Sequence, residues 1–253
     1  MKSVLYEVKD HIAYITLNRP DALNAINQEM SEELEDIWYR IEADQNVWIG
    51  ILSAVGDKSF CSGIDLRQMA AGNDKQSHRP IHKLGHGIDV FKPLIAGVNG
   101  HCLAAGLDMM LCCDIRVASE SATFGMPMTR VGVMASTGAS QLPRSISWAH
   151  AMEMLLTAEK IDAQEAYRIG LVNKVVPPDQ LMAACQTYAQ KILRNSPSAV
   201  RLTKEAAIRG RDTTMQESLH IGFGLQRFNR TTSDATEGPK AFAEKRKPNW
   251  SSS

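Results

Sequence analysis

The chain has 253 residues, of which 44% are hydrophobic and 22% are charged. This composition is typical of a globular protein with one large domain, or with a domain and an appendage. The 28 basic and 28 acidic residues cancel, so we expect no basic surface for nucleic acid or for an anionic membrane.

Cysteine usage and the N-terminal sequence bear on the compartment. The five cysteines form no CxxC pair, and their odd number fits a reducing compartment better than a disulfide framework. The first residues lack the layout of a signal peptide, and no apolar run approaches the roughly 20 residues of a membrane span. We therefore expect a cytoplasmic protein.

The first half of the chain alternates strand and helix signals. Short apolar or alternating runs predict strands over residues 4–8, 12–17, 47–54, 93–98 and 114–118. The last of these is followed by the segment 122–125 and a loop through residue 132. Helical spacing of apolar residues predicts helices over 24–41, 81–91 and 107–113. Residues 55–66 are predicted as a loop, and the polar stretch 70–80 as a mobile loop.

Beyond residue 136 the strand signal nearly vanishes. Helices are predicted over residues 141–156, 162–169, 178–193, 196–209, 215–228 and 233–245, with one short strand over 171–176. The change in composition indicates an α/β body followed by a helical C-terminal part.

The stretch 92–114 carries the most unusual chemistry. An apolar strand is followed by Asn99 and Gly100, and then by small residues that lead into a helix. Such a helix start presents backbone N–H groups without intrahelical partners, which suits a developing negative charge. Asp108 lies one turn inside this helix, so a carboxyl group is expected close to the anion-binding position.

Several motifs together resemble one family. They are NRPDALNA (18–25), FCSGIDL (60–66), PLIAGVNG (93–100), GLD (106–108), CD (113–114), GLVNKVV (170–176) and EGPKAFAEKR (237–246). In this order and spacing they resemble the enoyl-CoA hydratase/isomerase (crotonase) superfamily. The resemblance implies an α/β fold in which a spiral of ββα units over residues 1–195 forms the core. It also implies a helical trimerisation region over residues 196–253.

The resemblance further implies the ligand and the assembly. The ligand is an acyl-CoA thioester, with coenzyme A as part of the substrate and no separate cofactor. A homotrimer or homohexamer is expected, with neither nucleic acid nor membrane as a partner.

Motif positions imply the roles of individual residues. The backbone N–H groups of Ile64 and Ala105 would form an oxyanion hole, and Asp108 would be the acid–base group. At the position of a second family carboxylate this chain has Met128, whose thioether transfers no proton. The residues implied to bind substrate are Ala22, Leu23, Ser62, Gly63, Asp65, Leu66, Met128, Ser136, Phe242 and Lys245.

The exact reaction stays open at this stage. Hydratase-type (lyase) chemistry is favoured, with an isomerase, decarboxylase or thioester hydrolase as alternatives. A non-catalytic acyl-CoA-binding oligomer is the alternative from another class. His82 and His86 stand at i, i+4 and would offer only two metal ligands, so no metal site is expected. A pocket role as acid–base group or hydrogen-bond donor is an alternative, and a surface helix face is the favoured interpretation.

Overall fold

The computed structural model describes residues 2–65, 67 and 81–251. One sheet contains, in spatial order, β1 (Val4–Lys9), β2 (Ile12–Leu17), β3 (Ile49–Ala54), β5 (Leu94–Val98), β7 (Ile115–Ser119) and β10 (Lys174–Val176). The first two strands pair antiparallel as a hairpin, and all further neighbours pair parallel. The predicted N-terminal hairpin is thus confirmed.

A second, smaller sheet lies beside the first. It contains β4 (Ser59–Cys61), β6 (His101–Leu103), β8 (Thr123–Gly125) and β9 (Ile161–Asp162). Strands β4, β6 and β8 are parallel, and each follows directly after β3, β5 or β7 of the large sheet. Successive chain segments therefore give one strand to each sheet, which confirms the predicted α/β spiral of ββα units.

The helices pack around these sheets. They are α1 (Gln28–Ala43), α2 (Ala105–Leu111), α3 (Ser136–Gln141), α4 (Trp148–Thr157), α5 (Ala163–Arg168), α6 (Leu181–Leu193), α7 (Pro197–Gly210), α8 (Met215–Asn229) and α9 (Ser233–Ala243). Local sequence sets their starts: the Asn27 side chain accepts the N–H of Met30, and Thr214 forms a capping box with Glu217. Within the residues described, no helix has the length and apolar character needed to cross a bilayer.

The large sheet is buried on both faces, as its apolar strands predict. On one face its side chains join a core with α1, α2 and the small sheet, where Trp38 and Phe60 are fully buried. On the other face, residues such as Ile51 and Ile95 pack against α6. The strands that carry the site are therefore held from both sides.

The helix predicted over residues 24–41 begins later than expected. Pro20–Ala22 form a short 3-10 turn, and both Leu23 and Asn24 have left-handed backbone angles, with φ of 52° and 54°. A left-handed residue cannot be part of a right-handed helix. The helix therefore starts at Gln28.

The helix predicted over residues 81–91 is wrong. The segment instead turns back on itself, with a bridge between Leu84 and Ile88. Gly85 and Gly87 have φ of +68° and +117°, which interrupts any helix. The apolar residues are spaced as in a helix, but their role in the structure is different. The bridge residues Leu84 and Ile88 are both buried in the main core.

Other differences concern short elements. Strand β4 lies inside the predicted loop 55–66, and the helix predicted over 141–156 is divided into α3 and α4 by a 3-10 turn at Leu142–Arg144. The strand expected over 171–176 forms only at its end. The predicted mobile loop 70–80 lies outside the described residues.

The C-terminal helices α7 to α9 agree with the predicted ones to within two residues at each end. Lys204 on α7 ties this region to the sheet, since its Nζ lies 2.7 Å from the Asp114 carboxylate and 3.0 Å from the Lys92 carbonyl oxygen. The division of the chain into a core up to residue 195 and a separate oligomerisation region stays a prediction.

Candidate active site

Two adjacent strands bring the predicted oxyanion-hole residues together. Cys61 at the end of β4 pairs with Cys102 in β6, and Ile64 and Ala105 each follow three residues after these partners. A Cβ atom placed on Gly63 would lie 3.7 Å from the backbone nitrogen of Ala105. The loop after β4 and the start of α2 are therefore in direct contact.

Small residues and unusual backbone angles make this contact close. A Cβ atom on Gly106 would lie only 2.3 Å from the carbonyl oxygen of Cys61, so no side chain fits there. Gly63 has φ of +108°, which favours glycine. Ala104 has φ of 51° and ψ of −123°, a strained combination for a residue with a side chain. The chain thus accepts strain where α2 begins.

The N–H groups of Ile64 and Ala105 are available to a ligand. Ala105 is the first residue of α2 and has no intrahelical acceptor. The two residues that flank Ile64 both bond to Ile26. The N–H of Ile26 donates to the Gly63 carbonyl at 2.8 Å, and the Asp65 N–H donates to the Ile26 carbonyl at 3.0 Å. Between residues that the structure describes, no hydrogen bond uses the N–H of Ile64 or Ala105.

Asp108 stands one turn further along α2. It is 6% exposed, and its Oδ1 is buried without a hydrogen-bond partner among the described groups. Burial disfavours the charged form and raises the pKa of this carboxyl to about 7. A carboxyl with such a pKa exchanges protons near neutral pH, as acid–base catalysis requires.

The N-terminal motif lies against the loop that carries Ile64. The N–H of Ser62 donates to the carbonyl of Leu23 at 3.1 Å, which places Ala22 and Leu23 beside this loop. Asp65 has a partner of its own, since its carboxylate accepts from the Arg19 guanidinium at 3.0 Å. That ion pair joins the two motifs and gives Asp65 an anchoring role in the structure. Leu66 lies outside the described residues.

The remaining predicted site residues follow β8 or stand in the C-terminal region. Met128 lies in a 3-10 helix (Pro127–Val131) and is partly buried against the main core, while Ser136 is the exposed first residue of α3. Phe242 in α9 is 86% exposed, and Lys245 follows that helix with φ of 53°. In a single chain the last two side chains therefore face solvent.

The structure brings a second polar cluster together beside α2, and it adds Cys112 to the pair His82 and His86 that the sequence places at i, i+4. Ligating atoms of His82, His86 and Cys112 all lie within 4.8 Å of one another. Trp38 donates through Nε1 to the His82 carbonyl at 2.7 Å, and His82 is 1% exposed. The expected surface position of His82 is therefore wrong, because the 81–91 segment is a turn that buries His82 together with Leu84 and Ile88.

Burial determines the charge state of this cluster. It lowers the pKa of His82 to about 3, with a smaller contribution from His86, and it also lowers the pKa of His86. It raises the pKa of the Cys112 thiol to about 12. The cluster is neutral near pH 7.

Comparisons with known proteins agree with the geometry. The family model described as enoyl-CoA hydratase/isomerase matches residues 7–253. The chain is 40% identical over 252 residues to (E)-benzylidenesuccinyl-CoA hydratase of Thauera aromatica, with 97% of both chains covered. It is 38% identical to short-chain-enoyl-CoA hydratase of Clostridium acetobutylicum, with 98% of this chain and 97% of the relative covered. The crystal structure of enoyl-CoA hydratase from Mycobacterium tuberculosis H37Rv matches with a TM-score of 0.93 at 35% identity, over 100% of both chains.

Proposed function

Because this chain belongs to the enoyl-CoA hydratase/isomerase family, we propose that it adds water across the α,β double bond of an enoyl-CoA thioester. Coenzyme A enters as part of the substrate, and no separate cofactor is required. The observation that carries the proposal is the position of one buried carboxyl, that of Asp108, one turn along α2 from the available N–H of Ala105, which lies against the loop that carries the N–H of Ile64. Two of the relatives are named as hydratases, and these names support a hydratase (lyase) over an isomerase.

The first step places negative charge on the thioester oxygen. In this proposal the N–H groups of Ile64 and Ala105 donate to that oxygen while a water oxygen bonds to Cβ and the double-bond electrons move toward the carbonyl. Donors fixed in place before the reaction need no reorganisation as the enolate forms. Each such donor typically contributes about 3–4 kcal/mol to lowering the barrier.

Asp108 handles the protons in both steps. As a carboxylate it accepts a proton from the attacking water, and as the resulting acid it delivers a proton to Cα. The net change is the addition of one water molecule, and the carboxylate is regenerated. A pKa of about 7 suits both roles. Met128 stands at the second family position and takes no part in proton transfer.

The lack of a second carboxyl at Met128 is also compatible with another candidate reaction. An isomerase moves one proton between Cα and Cγ and needs a single acid–base group. Asp108 beside the oxyanion hole satisfies that requirement as well. A decarboxylase or a thioester hydrolase would use the oxyanion hole without paired carboxyls, and a non-catalytic oligomer would only bind the acyl-CoA.

The coenzyme A end of the substrate involves further residues in this proposal. Ala22 and Leu23 lie beside the Ile64 loop, on the side expected for the adenine. Phe242 and Lys245 would meet the nucleotide bound by a neighbouring subunit, where the lysine ammonium can pair with phosphate. This arrangement requires a homotrimer or a dimer of trimers.

The proposal is tested with the purified chain and three thioesters: crotonyl-CoA, cinnamoyl-CoA and (E)-benzylidenesuccinyl-CoA. Hydration is followed by the loss of enoyl absorbance and by mass spectrometry, which detects the added water. Asp108→Asn is expected to reduce kcat about 10²–10⁴-fold, because the amide transfers no proton. The matched control Asp36→Asn changes an exposed carboxylate on α1 and should leave kcat unchanged.

The outcomes separate the alternatives. Addition of water to at least one thioester supports the hydratase, and a product of unchanged mass with a shifted double bond supports the isomerase. Retention of coenzyme A affinity in both variants without turnover of any thioester would identify a binding protein instead.

A further inference from the structure

The cluster of His82, His86 and Cys112 beside α2, together with Gln141, contains buried polar atoms that make no hydrogen bond to the described protein groups. Cys112 Sγ lies 3.2 Å from the Leu84 carbonyl and 3.3 Å from the Asp108 carbonyl, so its thiol proton has acceptors. His82 Nδ1 and Gln141 Oε1, in contrast, are buried without a partner among the described groups. Buried polar atoms without a partner are costly, so an additional ligand bound at this place would be stabilising.

We propose that His82, His86 and Cys112 bind one transition-metal ion of the zinc class, with the side-chain oxygen of Gln141 as the fourth ligand. Two imidazoles and a thiolate form a donor set that selects zinc, cobalt or nickel over magnesium and calcium. The thiol releases its proton to solvent as the sulfur–metal bond forms, so the bound sulfur is a thiolate.

The distances are compatible with a closed tetrahedral site. Metal–ligand bonds of about 2.0–2.3 Å place neighbouring ligands about 3.3–3.6 Å apart. The three ligating atoms already lie within 4.8 Å of one another, so side-chain rotations that move these atoms by about 1 Å would complete the site.

Gln141 is positioned to close the fourth side. Its Nε2 lies 3.4 Å from Cys112 Sγ, and this distance agrees with the separation expected between two neighbouring ligands of a tetrahedral ion. The nitrogen and oxygen of an amide exchange places by a half-turn of the group, and that turn sets the oxygen toward the sulfur.

The location of the cluster gives the ion a structural role. Gly85 lies between the two histidines, and a Cβ atom on it would be 2.9 Å from Cys112 Sγ, so the 81–91 turn rests directly on α2. A bound ion would join this turn to α2 and α3. Because Cys112 is one turn beyond Asp108 and bonds to its carbonyl, the ion would also fix the helix that carries the acid–base group.

Cobalt titration of the full chain tests the site directly. After treatment with a chelator and a thiol reductant, Co²⁺ is expected to bind with one equivalent per chain. It should produce a thiolate-to-cobalt charge-transfer band and the visible bands of a tetrahedral ion, and one equivalent of Zn²⁺ should remove both. This readout does not depend on hydratase activity, so failure of the proposed function leaves it intact.

Variants identify the ligands. Cys112→Ser should abolish the charge-transfer band, and His86→Ala should weaken Co²⁺ binding at least about 100-fold, since loss of even an outer-shell partner costs 10–100-fold. The controls are Cys185→Ser, on α6 in the separate core, and His150→Ala, on α4. Both control variants should bind Co²⁺ with the affinity of the parent protein and show the same charge-transfer band.

Unchanged circular dichroism and thermal unfolding in the chelator-treated variants would show that they fold. Zn²⁺ should then raise the melting temperature of the parent but not that of Cys112→Ser. The proposal is overturned if Co²⁺ gives no charge-transfer band with the parent, or if the band survives in Cys112→Ser.

Discussion

At the scale of single residues, Asp108 sets the expected pH dependence. Burial raises its pKa to about 7, and only its carboxylate form accepts a proton from water. We predict that kcat/KM for hydration rises about tenfold per pH unit below about pH 7 and levels off above it. Initial rates between about pH 5 and 9, with EDTA present to exclude metal effects, measure this profile. A profile that is flat through neutrality contradicts the assignment.

The same pKa predicts a stability effect that needs no substrate. The carboxyl binds more protons in the folded chain than in the unfolded one, so stability falls as pH rises from about 4 to about 7. Asp108→Asn does not titrate and should gain stability relative to the parent across this window, by at most about 4 kcal/mol. Urea unfolding of both proteins at either end of the window measures the gain, and a constant difference would contradict it.

The residues of the site differ in how far sequence could predict them. Ile64, Ala105 and Asp108 belong to motifs in short, continuous segments, and the fold brings those segments together as expected. The partner of Asp65 and the polar cluster beside α2 could not be predicted in the same way. They depend on contacts between residues far apart in the chain, and His82 carries no local sign that it is buried.

At the scale of elements, Ala104 offers a test of strain at the start of α2. Its left-handed backbone typically costs about 1–3 kcal/mol for a residue with a side chain. Glycine removes that strain but loses about 0.5–1 kcal/mol through the greater freedom of the unfolded chain. We predict that Ala104→Gly raises the free energy of unfolding by about 1 kcal/mol, as measured by denaturant titration.

The matched control is Ala139→Gly in α3, where the backbone is helical and the side chain is exposed. There the same change should lower stability by about 1 kcal/mol, because glycine is a poor helix former. Equal losses in both variants would mean that position 104 carries no strain.

Element length explains most of the agreement and the differences. The helices α1 and α6 to α9 repeat the 3.6-residue pattern over several turns, so the sequence specifies them well. Strands β4, β6 and β9 have two or three residues, which is too short for any alternation to be visible. The 81–91 segment has helical spacing but also two glycines, and tertiary burial of its apolar residues determines its conformation.

At the scale of the whole molecule, α8 indicates self-association. None of its residues is buried, and Met215, Leu219 and Phe223 follow at i, i+4 and i+8 as one apolar stripe, 76%, 50% and 54% exposed. A stripe of this kind needs a covering surface, and the proposed trimer would supply one. We predict that the parent sediments as a trimer or hexamer, and that Leu219→Lys combined with Phe223→Lys shifts it toward monomer.

Tyr39→Lys is the control, since Tyr39 is 56% exposed on α1, outside the C-terminal region. Analytical ultracentrifugation at micromolar concentration compares the three proteins. A monomeric parent would contradict the prediction, as would a double variant that keeps the full assembly.

The pairing of β4 with β6 has a further consequence for how the chemistry of this fold can diverge. The two N–H donors of the proposed oxyanion hole belong to the main chain, and their separation derives from neighbouring strands that lie about 4.8 Å apart. Changes of side chain at positions 108 and 128 leave that separation untouched. In the proposed mechanism, enolate stabilisation therefore depends on the main chain and proton transfer depends on side chains. Substitutions of those side chains can change the reaction while the geometry of the proposed oxyanion hole stays the same.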